Sequence, residues 1–289
     1  MGRPALAERP LRGDPSIVDD AAVLAALAGA DSARSLPRLG GMARPRGVAI
    51  VTERVWCFSG TDGSTLSSGR MPQPPALVAR LPFARGLAKL AVSLAPLLGR
   101  RGTARRGERL FLLAALFVPL PLAAVPAAYR TAALLASIAV LLAWMLRGRT
   151  LRLHGAEHRA IAAAETRLLV ATWHGLARPS RFSPRCGTNF AALLLPVSLL
   201  LDRFWLLPTS TLTPLVVSLV ALTLTMEIWI AAQRWLSSVG RVALLPGLAL
   251  QRLTTREPDL LDTRVALRAV AGALAEDARL RAATARVAA

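Results

Sequence analysis

Two histidines and two glutamates fall within LHGAEHRAIAAAE, residues 153–165, in a chain that has only three histidines. On a helix each residue turns the chain by about 100°. Relative to His154, His158 then falls at about 40°, Glu165 at about 20° and Glu157 at about −60°. All four share one stripe. His154-x-x-Glu157-His158 is the inverted zincin spacing, in which two imidazoles one turn apart hold zinc and the glutamate takes a proton from water. His154 and His158 are therefore candidate metal ligands, and Glu157 is the candidate catalytic base. Glu165 lies a further ~10 Å along a straight helix from His158, too far to share that metal with both histidines. It is a candidate for a second ion or for orienting a neighbour. The pattern by itself also fits a solvated helix face.

An open zinc site needs a third protein ligand. Two residues qualify by their place relative to apolar runs: Cys186, just ahead of one run, and Glu227, inside another. An ionisable residue within a membrane span is a functional candidate by default. His174, in TWHGLARP, reads as a loop histidine. Cys186, followed by Gly187, also fits a small residue in a turn.

The elements that must position these groups are mostly apolar. The chain has 289 residues, 54% of them hydrophobic, with 18% charged. That balance exceeds the usual apolar share of a globular domain and points to lipid. Four candidate spans are 110–128, 131–146, 190–207 and 211–232, each near the ~20 residues a bilayer requires. The first carries Pro119, Pro121 and Pro126, and the third carries Asp202 and Arg203. Arg147, Arg149, Arg152, Arg159, Arg178, Arg181, Arg185, Arg234 and Arg241 all flank the spans on one side, while Arg130 and Arg203 stand on the other. The positive-inside rule makes the first side cytoplasmic, with both termini on it.

The formal charge of +19 argues for anionic lipid head groups more than for nucleic acid. The basic residues adjoin apolar runs, and no nucleic-acid motif or interleaved aromatic set accompanies them. Lys89 is the only lysine, so arginine usage also reflects coding bias. Two cysteines, Cys57 and Cys186, exclude a disulfide scaffold and fit a reducing compartment.

Six segments result. Residues 1–38 are expected to be a loosely ordered extension, with a short helix possible over 18–30 behind Asp19 and Asp20. Residues 39–109 hold a β element, marked by Val48, Ile50, Val55, Trp56, Phe58 and an Asp62-Gly63 turn. An amphipathic helix at the membrane surface follows over 81–98. Residues 110–146 form a transmembrane hairpin, 147–189 the histidine helix and a loop, 190–232 a second hairpin, and 233–289 an interfacial segment ending in a surface helix. The fold class expected is mainly α, a polytopic membrane protein with about four transmembrane helices and a small N-terminal β element.

Several separated blocks resemble the YqhQ-type family of bacterial integral membrane proteins, read as metal-dependent enzymes of unassigned substrate. They are HGAEH (154–158) with Glu165, PRCGTNF (184–190), LPFARG (81–86), PGLALQRLTTREP (246–258) and a worn GGMARPRGV (40–48). The resemblance covers roughly residues 40 to 272. It implies a polar signature of His154, Glu157, His158, Glu165, Cys186 and Glu227, and a location in the bacterial plasma membrane. Two positions depart from the family pattern: Ser183 replaces a histidine before the Pro-Arg-Cys-Gly block, and Arg46 replaces a glutamate after the opening glycines. The expectation is a membrane protein with a divalent metal, zinc, at its cytoplasmic face, acting as a hydrolase or peptidase. The alternative is a non-catalytic membrane scaffold or assembly factor with a degraded metal site. A transporter is less favoured, since four spans show no evident repeat.

Overall fold

The computed structural model describes residues 19–63, 66–99, 102–117, 121, 125–145, 149–210, 212–234 and 238–288. Helix α1 (Asp20–Ser32) leads into four strands, β1 (Gly40–Arg44), β2 (Gly47–Val51), β3 (Val55–Gly60) and β4 (Leu66–Arg70). Helices α2 (Ala76–Arg80), α3 (Ala84–Leu98), α4 (Arg106–Phe117) and α5 (Ala127–Met145) follow. The histidine helix is α6 (Thr150–Thr166), trailed by the short α7 (Leu169–Trp173). The rest is α8 (Gly187–Arg203), α9 (Thr213–Arg234), α10 (Ser238–Thr254) and α11 (Leu260–Ala288). The fold is mainly helical, with one small sheet near the N-terminus.

The strands form an antiparallel meander in the order β1-β2-β3-β4. Alternation sorts their side chains, as a two-residue repeat must. Val48, Ile50 and Cys57 face a large core, while Ala49, Trp56 and Phe58 face a smaller one with Met71. Strand β1 lies within the glycine block, upstream of the β-former-rich stretch that signalled the element. Its two glycines disfavour a strand intrinsically, and pairing with β2 overrides them.

The large core joins that sheet face to α1, α6, α7 and α11. Two expectations are corrected here. Residues 19–38 are not a loose extension: Val23 and Leu27 of α1 are fully buried. The Asp31 carboxylate caps α7, accepting from the N–H groups of Leu169 and Val170 at 3.0 Å each. Residues 1–18 lie outside the described residues. Nor is α11 a surface helix. Val265, Ala266, Leu267, Ala269, Val270, Ala271 and Ala273 are all buried in the same core. Its buried stripe is largely alanine, whose small side chains let helix and sheet approach closely but give a weak apolar signature.

A second region packs α8, α9 and α10 together, with α3 against α9. Among the described residues, Thr213–Gln233 is the one helix long and apolar enough to cross a membrane, with a mean hydropathy of 2.1. The other expected spans are helical where described, but shorter or less uniformly apolar. Helix α8 holds Pro196 and ends at Arg203 after 17 residues. Residues 131–146 fall on α5, of 19 residues, and 110–128 fall on α4 and partly outside the described residues. A four-span arrangement is therefore the finer expectation, and one candidate span is what the fold displays.

Candidate metal centre

Helix α6 is built from good helix formers, and Ala, Leu, Glu and Arg carry it through seventeen residues. It is buried on several sides at once: Leu153, Ala156, Ala160 and Ala164 sit in the large core, and His158 is 2% exposed. The His154 and His158 rings stack one turn apart, centroids 4.5 Å apart at 66°. Cys186 joins them as the N-cap of α8, where its Sγ accepts from the Thr188 N–H at 3.3 Å. One ligand atom from each of His154, His158 and Cys186 lies within 4.8 Å of the other two. The cluster thus sits where the sheet-and-helix core meets the apolar bundle.

Hydrogen bonds set the direction of each imidazole. His154 Nδ1 donates to the Thr254 carbonyl at 2.8 Å, leaving Nε2 3.2 Å from Cys186 Sγ. His158 Nδ1 donates to the Arg181 carbonyl at 2.7 Å. Its Nε2 is buried without a hydrogen-bond partner. A buried unpaired nitrogen costs roughly 1–3 kcal/mol, so a nitrogen left this way beside a thiol and a second imidazole is suited to a metal. Holding Nδ1 on a carbonyl is also how metal-binding histidines fix their tautomer. The donor set fits zinc or a similar soft-tolerant ion better than magnesium or calcium, which prefer oxygen. Zn–N and Zn–S bonds at a tetrahedral angle put N and S about 3.5 Å apart, close to the 3.2 Å found between His154 and Cys186. The helix N-terminus under Cys186 favours the negative charge of a coordinating thiolate.

The other expected site residues are placed elsewhere. Glu157 leaves the stripe and turns towards β1, where its carboxylate accepts from the Ala43 N–H. A side chain at Gly41 would collide with it, at 2.7 Å from Glu157 Cγ. Burial pushes the Glu157 carboxyl up to about 7, against the opposing pull of His154 and of the Ala43 bond. Glu165 is half-exposed and pairs with Arg185. Glu227 is not brought to the cluster. Arg85 holds its carboxylate through Nε, at 2.9 and 3.0 Å, and through a terminal nitrogen. The Phe83 N–H donates to it as well. Glu227 thereby clamps the LPFARG turn, where Phe83 has a φ of 63°, against α9. The Glu227 carboxylate, set in the apolar helix α9, is a structural anchor for α3, a pairing that no local spacing discloses.

Sequence reasoning missed the residues that hold the ligand-bearing loop in place. Gln251 accepts from the Ser183 N–H at 2.9 Å and donates to the Ser183 carbonyl at 2.7 Å. Asn189 donates to the Ser183 and Pro184 carbonyls. Arg181 donates to the Thr255 carbonyl at 2.7 Å, and Glu257 pairs with Arg159. Ser183, where the family pattern has histidine, is therefore a backbone fixing point for the loop. Gly155 completes the join. A Cβ there would stand 2.2 Å from the Arg256 carbonyl, so only glycine lets α6 touch the segment after Thr254. Gln251, Thr254, Thr255 and Glu257 all fall in the PGLALQRLTTREP block, but nothing in its residue types indicates their partners.

A family model described as a protein of unknown function, DUF1385, matches residues 81–276. That span is more than half of the chain, and the chain belongs to this family. The YqhQ-type resemblance agrees with it, although the glycine block at 40–48 falls outside the match. No curated protein and no solved structure matches the chain.

Proposed function

We propose, from membership of DUF1385 and from the cluster, that the chain is a membrane-integrated metalloprotein with a zinc-type centre on His154, His158 and Cys186. The observation that carries this is the buried, unpartnered His158 Nε2 beside two further soft donors. Three protein ligands leave a fourth position open, the arrangement of catalytic zinc sites. A bound zinc would supply Lewis-acid polarisation of a carbonyl or a water. The chain's own residues supply the rest. Carbonyls of Thr254 and Arg181 aim the two imidazoles, and Glu157, with its proton affinity set near neutrality and electrostatically coupled to His154, takes up a proton. This supports a hydrolase or peptidase acting at the membrane boundary. The one apolar helix, Thr213–Gln233, supports membrane association; the four apolar runs of the sequence and the arginine bias are what support four passes with both termini cytoplasmic.

Stoichiometric zinc in detergent-purified protein from zinc-replete cells is the expected result, lost in His154→Ala and Cys186→Ser but kept in Cys57→Ser. Zinc-free wild-type protein would overturn the proposal. A second reading, a non-catalytic scaffold, is favoured by one observation: the Glu157 carboxylate lies against β1. A Glu157→Gln chain that accumulates normally and restores full function in cells lacking the protein supports the scaffold. Loss of function in that chain, with zinc retained, supports catalysis.

A further inference from the structure

A cleft of about 300 Å³ opens between the sheet and the arginine-rich approach to α4, apart from the His–Cys cluster. Arg44, Arg46 and Arg105 line it. Two acids also reach it, Glu108 and Asp62, and both are engaged. Glu108 pairs with Arg44 and accepts from the Arg105 N–H at 3.0 Å. Asp62 has a partner of its own. Arg44 is fixed further by donating to Thr103 Oγ1 at 2.5 Å. Nearby, Arg109 donates to the carbonyls of Gly102 and Ala104.

Positive charge therefore accumulates around the cleft. Burial, with Arg105 and Arg109 nearby, brings Arg44 down to about 10. Arg46 and Arg105 are exposed, and Thr61 and Ser67, whose hydroxyls can donate hydrogen bonds, also line the cleft. Helix α4 starts at Arg106 and turns apolar from Leu110 onward. In the membrane reading above, on which only the lipid source depends, the cleft lies at head-group depth.

We propose that this cleft binds a phosphate group, borne by an anionic phospholipid or by a soluble phosphate. Guanidinium groups match phosphate oxygens in pairs, and the hydroxyls complete a polar cradle. Arg44 shapes the cleft, while Arg46 and Arg105, exposed at its edge, present guanidinium groups to the ligand.

The test titrates the full chain in nonionic detergent with short-chain phosphatidylglycerol, short-chain phosphatidylcholine and inorganic phosphate, read by calorimetry. Phosphatidylglycerol is expected to bind and phosphatidylcholine to bind more weakly. With about fivefold per basic residue at an anionic surface, the Arg46→Gln/Arg105→Gln chain loses about 25-fold in affinity. A control removing the same charge outside the cleft, Arg34→Gln/Arg286→Gln, is expected to change affinity far less, because the attraction is screened within a Debye length. Binding of phosphatidylglycerol alone assigns the lipid as source, and binding of inorganic phosphate as well assigns the bare phosphate group. Absence of binding by either, or equal losses in the two double variants at unchanged melting temperature, overturns the proposal. Neither result depends on zinc, so the metal centre stands or falls separately.

Discussion

The two regions of the molecule draw on the same residues, Ala, Leu and Arg, and use them in opposite ways. In the sheet-and-helix core, small side chains are hidden: Ala156, Ala160, Ala266, Ala269, Ala271 and Ala273 are all fully buried. In the bundle, large ones face outward, Leu200 of α8 at 57% exposed, and Leu206 in the connection that follows α8 is 94% exposed. A core of alanines depends on close backbone approach, as where Gly155 touches Arg256. Outward leucines have no such close packing among the described residues. The His154, His158 and Cys186 cluster draws its side chains from both regions, so it is the point where these two kinds of packing must agree.

That contrast can be broken most forcefully in the core. Leu267→Ala removes a fully buried side chain and is expected to cost about 2–5 kcal/mol, measured by thermal or denaturant unfolding in detergent. Leu206→Ala, on the outward side, is expected to stay within about 0.5 kcal/mol. Equal effects would dissolve the distinction. Thiol accessibility gives the next largest contrast. Cys57 is buried and held up at about 12, so alkylation of the native chain should modify Cys186 and spare Cys57. Both should react after denaturation, and added zinc should protect Cys186.

Smaller effects sharpen the boundary between the regions. Arg85 and Glu227 join α3 to α9 in a partly exposed pair, and a double-mutant cycle of Arg85→Ala with Glu227→Gln should show the two substitutions to be non-additive in unfolding stability. Glu227→Gln should leave bound zinc unchanged; loss of zinc would return Glu227 to the ligand set. Least of all should follow from Glu165→Gln. Its pair with Arg185 is half-exposed, and such pairs contribute about 0–1 kcal/mol.

Much of the metal cluster was legible because its geometry is local. Two imidazoles four residues apart on a helix must face the same way, and a cysteine ahead of an apolar run lies at the run's end. The β element was legible from its β-branched and aromatic residues and its turn. Glu227 was a different case: hydropathy exposes a carboxylate among apolar neighbours, but its partner lies 142 residues away. Glu157 was placed on the ligand stripe by helix angle, yet the strand beside it, set by glycines that predict no strand, drew the carboxylate aside. Helix α11 was misread for a related reason. An alanine stripe interrupted by Arg264, Arg268 and Asp277 looks solvated, and only the sheet it covers shows otherwise. The backbone carbonyls that aim the histidines leave no mark on residue identity at all.

The covering of the sheet by α11 also imposes an order on synthesis. The inner face of Val48, Ile50 and Cys57 is finished early, and its lid begins at Leu260, after every apolar helix has been made. At about 5–20 residues per second, roughly 10–40 seconds separate the sheet from its cover. Through that interval the inner face of the sheet lacks the alanine stripe that covers it in the finished fold, so the core closes only once residues 260–274 have been made.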